Sequence, residues 1–134
     1  SFPDFYTKNK ENKTASKILK DISNVVYDVY KTKKHVFLAE VEFWSLANKD
    51  DEVKEKSKVL YGKLLYLFEL IIKKGIREKE FKEIDTKVVA MSILSSLQGI
   101  NWFCLFDDSD VDAKMYLDTS IGLLINSLKR NDNE

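Results

Sequence analysis

The stretch that decides the fold is "GIREKEFKEIDTKVVAMSILSSLQGINWF", residues 75–103. It opens on a glycine and a charged turn, then passes at Asp85 into a segment where large apolar residues alternate with Ser92, Ser95, Ser96 and Gly99. Asp85 suits a helix N-cap, because its carboxylate can accept the backbone N–H groups that a first turn leaves unpaired. The helix it starts is expected to run to about Phe106. At about 100° per residue, Val88, Ser92, Ser95, Gly99, Trp102 and Phe106 fall on one stripe. Ala90, Ile93, Leu94, Leu97, Asn101 and Cys104 fall roughly opposite. Both sides are apolar or small, so both sides must be covered.

Outward from this stretch the chain reads as helices. It has one Pro and four Gly, and no alternating run bounded by turn residues. Ile18, Ile22, Val25 and Val29 mark a first helix over about 14–31, and Phe37, Val41 and Trp44 a second over about 33–48. "NKDD" interrupts the pattern, and Asp50 or Asp51 can cap a long third helix over about 52–74. Its stripes are Leu60, Leu64, Leu67 and Ile71, and Tyr61, Leu65, Phe68 and Ile72, with Gly75 as the expected stop. "DDSD" is expected to cap a last helix over about 111–129, with Ala113, Leu117, Ile121, Leu124 and Leu128 on one line and Tyr116, Ser120, Leu123 and Ser127 on another. The expected fold is all-α, a five-helix bundle with short links. Residues 1–12 read as a flexible N-terminal arm and 13–130 as the folded domain.

Bulk composition narrows the function. The 134 residues are 44% hydrophobic and 33% charged, the balance of a globular protein of one-domain size. Lys plus Arg equals Asp plus Glu, 22 each, so no global charge pulls the chain toward nucleic acid or membrane. Residues 1–34 hold eight Lys against four acids, which reads as a solvated basic helix face. One Cys excludes an internal disulfide and points to a reducing compartment, so a cytoplasmic location is expected. No run is read as approaching the roughly 18 apolar residues a membrane span needs.

The two sides of the fourth helix differ in kind. Small residues centre one side, so another helix can approach closely there, while the other is bulky, as a core is. The last two helices can pair with their copies about a two-fold axis, giving a four-helix homodimer interface of Ser92, Ser95, Gly99, Tyr116, Leu123 and Ser127. The alternative is that one subunit buries both sides.

The ordered combination in "FLAEVEFWSLANKDDEVKEKSKVLYGKLLYLFELIIKKGIREKEFKEIDTKVVAMSILSSLQGINWF" resembles the C-terminal regulatory domain of the TetR family of transcriptional regulators. The likeness covers roughly residues 13–130. It lies in a long helix ending at Gly, a charged turn with an aromatic (Phe81), then Asp85, a helix of small and apolar residues to Gly99, an acidic loop and a final amphipathic helix. The resemblance implies that the last two helices form the dimer interface and that those before them enclose a pocket for a small hydrophobic effector. The family's N-terminal helix-turn-helix domain, which would contact DNA, is absent from this chain. The chain opens on Ser rather than Met, as a trimmed piece would.

Candidate site residues follow. Phe37, Trp44, Tyr61, Leu65 and Phe68 sit on bundle-facing stripes, where they serve either as core or as pocket wall, and the resemblance makes them the candidate pocket. Asn101 lies on the bulky side of its helix, where a buried amide needs a partner that a ligand, a carbonyl or a water can supply. Glu40, one turn before Trp44, is a second polar candidate and would offset the desolvation of a cationic ligand. His35 has no neighbours at ligand-like spacing and reads as a surface residue. Glu69 reads as a solvent-face partner of Lys73, and Cys104 as a small buried hydrophobe. The sequence shows no phosphate loop, triad or metal spacing, so neither catalytic nor metal residues nor a cofactor are expected. A helical interaction module without a ligand remains the alternative function.

Overall fold

A computed structural model describes residues 13–106 and 110–131. The arm expected over residues 1–12 lies outside the described residues. Within them the chain folds as α1 (Ala15–Thr32), α2 (Lys34–Ala47), α3 (Asp51–Arg77), α4 (Thr86–Gln98), α5 (Asn101–Leu105) and α6 (Ala113–Leu128). α4 and α5 are two segments of the expected fourth helix. Between them Ile100, Trp102 and Phe103 donate to Leu97, Gly99 and Ile100, a three-residue spacing that tightens the turn. The all-α bundle of five helices is thus what forms, with one of them tightened in mid-course.

The caps are mostly those the sequence signals. Asp50 accepts from Glu52 N at 2.9 Å, and Asp85 accepts from Lys87 N and Val88 N, both at 3.1 Å. The last helix is capped by Asp112, which accepts from Met115 N at 2.9 Å. That is two residues beyond "DDSD", so the expected cap is corrected by one short link.

Gly75 does not stop α3, which continues to Arg77. The glycine serves packing instead. A Cβ on it would overlap the ring of Phe81, which is 1% exposed. The turn after α3 closes through Lys79, whose φ is 61°, and the N–H groups of Glu80 and Phe81 both donate to Gly75 O. Glu80 then reaches across the bundle. Its carboxylate accepts from Ala15 N at 2.9 Å, from Ser16 N at 3.2 Å and from the Ser16 hydroxyl. An acid at a helix N-terminus satisfies orphan donors and complements the helix dipole. Lys82 N donates to Leu128 O and Arg130 N to Glu80 O, so the same turn also fastens the end of α6.

The core lies between α1, α3, α4 and α6, built from Ile18, Ile22, Phe68, Ile71, Ile93, Leu97, Leu117 and Ile125 among others. α3 packs along α4, α1 along α6, and α2 against α3 and α5. No residue of α2 is buried. The segment Thr86–Leu105 is long and apolar enough to cross a bilayer by length and composition alone. This corrects the expectation that no run approaches that length. Its Ala90, Ile93, Leu94 and Leu97 are buried in the bundle core.

Two glycines in α3 provide a paired test. Gly62 faces open space, so Gly62→Ala should stabilise the fold by about 0.5–1 kcal/mol through helix propensity. Gly75→Ala meets Phe81 and should destabilise by about 1–3 kcal/mol despite the same propensity gain. Urea unfolding measures both; a stabilising Gly75→Ala would contradict the packing role.

Candidate functional site

A pocket of about 80 Å³ opens between the first four helices. Val26 comes from α1, Phe37 and Glu40 from α2, Leu64 and Phe68 from α3, and Leu94, Leu97 and Gln98 from α4. Each lies on the inward stripe of its helix, and all but Glu40 and Gln98 are apolar. The two polar members sit where α2 meets the α4–α5 turn.

Glu40 organises the polar end. Asn101 Nδ2 donates to Glu40 Oε1 at 2.8 Å, which ties α5 to α2. Asn101 is 3% exposed, and its Oδ1 has no hydrogen-bond partner. Trp44 Nε1 donates to the Tyr61 hydroxyl. Burial pushes the Tyr61 phenol up to about 12; the Trp44 bond acts against that shift, and the charge and hydrogen bonding of Glu40 add to it. One carboxylate therefore faces an apolar space from within an aromatic and amide network.

The candidate pocket residues divide into two groups. Phe37 and Phe68 line the space. Trp44, Tyr61 and Asn101 belong to the network beside it, and Leu65 is a half-buried residue packed on the core. Glu40, held as the second polar candidate, sits at the centre. Val26, Leu64, Leu94, Leu97 and Gln98 were not singled out, since at helical spacing they look like any other core positions.

The opposite side of α4 and α5 is open. Val88, Trp102 and Phe106 are each at least 60% exposed, and Met115 and Leu123 of α6 are 67% and 66% exposed. The rings of Trp102 and Phe106 stack at 5.9 Å. Ser95, Leu123 and Ser127 are exposed on this side, and Ser92 is half-buried with its hydroxyl donating to Val88 O. Gly99 and Tyr116 are engaged within the chain. A Cβ on Gly99 would overlap the Tyr116 hydroxyl, which donates to Ser96 O at 2.6 Å. The small-residue argument for a close approach by a second copy therefore rests on Ser92 and Ser95.

The remaining sequence candidates fall elsewhere. His35 is exposed. Glu69 pairs with Lys73 at 3.6 Å, but its side chain is only 13% exposed, so it is less solvated than a surface pair. Cys104 is half-buried. No group of three or more metal-ligating side chains occurs among the described residues.

Titration tests the polar network. The folded-state pKa of Tyr61 is raised above its ordinary 10.0, so its stabilising contribution is complete below pH 10 and is lost as pH climbs toward 12. The difference in phenolate absorbance between wild type and Tyr61→Phe should titrate near 12. A component near 10 would place Tyr61 in water, apart from Glu40.

A family model described as the QacR-like protein C-terminal region matches residues 4–130. The match begins inside the stretch read as an arm. Comparison with curated proteins and with solved structures finds no significant match.

Proposed function

Since the chain belongs to the family of QacR-like C-terminal regions of TetR-type regulators, a regulator's effector-binding and dimerisation region, we propose that it binds a small apolar effector between α1, α2, α3 and α4. It serves as the ligand-sensing, dimer-forming part of a cytoplasmic repressor, without cofactor, catalysis or membrane insertion. DNA is contacted only through an N-terminal helix-turn-helix domain not present in these residues, and the folded unit is residues 13–130.

The observation that carries this reading is the Glu40 carboxylate, the one charged group in the wall of a pocket whose other members, Gln98 apart, are apolar. Carboxylates are rarely placed so unless something offsets their desolvation. Asn101 and Tyr61 hydrogen-bond this carboxylate, and an effector with a positive group would supply the countercharge that neither of them carries. The pocket's 80 Å³ is well below the roughly 300 Å³ of ordinary ligand sites. Entry therefore requires a helix to move. α2 suits that role, having no buried residue and only a one-residue link, Lys33, to α1.

The mechanism is a population shift. An effector that fits only when α2 stands off favours that arrangement, and the displacement passes to α1, whose start would lead to the DNA-binding unit. A ligand fitting both arrangements equally would shift nothing. The homodimer forms through the outer faces of α4, α5 and α6, with Ser92, Ser95, Gly99, Tyr116, Leu123 and Ser127 as its residues and the exposed Trp102, Phe106 and Met115 adding apolar area. An apolar surface of this kind is typical of a permanent interface.

Thermal melting tests the pocket. Hydrophobic cations at saturating concentration should raise the midpoint by about 5 °C or more, above matched neutral compounds and fatty acids. Glu40→Gln should remove the advantage of the cations, and Leu94→Trp, which fills the space, should remove every shift. Leu94→Trp responding like wild type would refute the site.

A further inference from the structure

The polar end of the central pocket holds one group that the fold leaves unmatched. Asn101 is 3% exposed, and its Nδ2 donates to Glu40 Oε1 at 2.8 Å. A carboxylate can only accept, so the amide must turn its nitrogen to Glu40 and its carbonyl away. That carbonyl oxygen, Oδ1, is buried and takes no hydrogen bond. Buried polar atoms without a partner are rare in folded proteins, and each calls for a reason. Gln98, half-buried three residues earlier in the pocket wall, does not supply the donor.

Oδ1 stands beside the charge. The nitrogen and oxygen of an amide head are about 2.2 Å apart, so Oδ1 lies no more than about 5 Å from Glu40 Oε1. Glu40 makes no ion pair among the described residues. Its hydrogen-bonding neighbours, Asn101 and Tyr61, are both neutral. Two acceptors, one charged and one neutral, are therefore adjacent and short of donors. α2, which carries Glu40, packs against α5, which carries Asn101. An outward step of α2 that enlarges the pocket would uncover both acceptors together.

On the reading that an effector occupies this pocket, we propose that it is a cation bearing N–H groups, a protonated primary or secondary amine or an amidinium, and not a quaternary ammonium. One N–H meets the Glu40 carboxylate and another meets Asn101 Oδ1. A quaternary ammonium offsets the charge of Glu40 but has no hydrogen to give, and it would seal Oδ1 in unpaired. A site with a buried polar atom discriminates strongly against an analogue that lacks the matching group.

Calorimetric titration at neutral pH tests this with naphthylmethylammonium, its N,N,N-trimethyl counterpart and the neutral naphthylmethanol. Wild type should bind the primary ammonium about tenfold or more tighter than the trimethyl compound. Asn101→Leu should cut that ratio to about threefold or less, whereas a preference set by size alone would survive the substitution. Asn101→Ser keeps a hydroxyl donor without the carbonyl, and gives the same reading if the leucine variant loses its helical spectrum. Equal or tighter binding of the trimethyl compound by wild type would overturn the N–H requirement and leave the pocket in place, as would an unchanged ratio in the variant. Binding of naphthylmethanol alone would keep the pocket and overturn the cation. Failure of all three to bind would remove the pocket and this inference with it.

Discussion

The seating of Phe81 against Gly75 is the contact on which the rest of the bundle depends. It folds the charged turn back onto α3, and that reversal aims Glu80 at the N-terminus of α1. The backbone on either side of Phe81 then catches the end of α6. Three helices distant in sequence are thereby fixed by residues 75–82, and α4 leaves the turn through the Asp85 cap in a set direction. A side chain at residue 75 would displace the ring and loosen all of these connections together.

With α4 so directed, its two sides acquire different tasks. Leu94 and Leu97 close the wall of the central pocket, while Val88, Trp102 and Phe106 remain on the outside. The tightened turn at Gly99–Ile100 joins the two. It leaves room for the Tyr116 hydroxyl and rotates α5 so that Asn101 meets Glu40. The neighbours Asn101 and Trp102 thus face the pocket and the open surface respectively. A five-residue helix thus links the polar end of the pocket to the open apolar surface.

The helices were legible because the signals for them are local. Apolar spacing at three and four residues marked every long element, the Asp85 cap was evident from residue type, and Asp50 was one of two candidates for its helix. Membership of the family was legible from the ordered pattern of helix, charged turn and small-residue helix. What could not be read depends on distance in space. Gly75 looks like a helix stop in sequence, and only the fold brings Phe81 onto it. Glu40 and Asn101 were each legible as polar candidates; that α5 would bring the two together was not. Leu64, Leu94 and Leu97 could not be told from core, since a pocket wall and a filled core use the same residues at the same spacing. The wheel likewise does not show that Tyr116 of the same chain packs against Gly99.

The central claim is that one helix walls a pocket on its inner side and pairs with its own copy on the outer. Sedimentation equilibrium over a wide concentration range tests it most directly. The chain of 15.6 kDa should sediment at about twice that mass, and Leu123→Asp with Trp102→Asp should return it to one subunit with the helical spectrum intact. A wild-type mass of 15.6 kDa at every concentration would contradict the account.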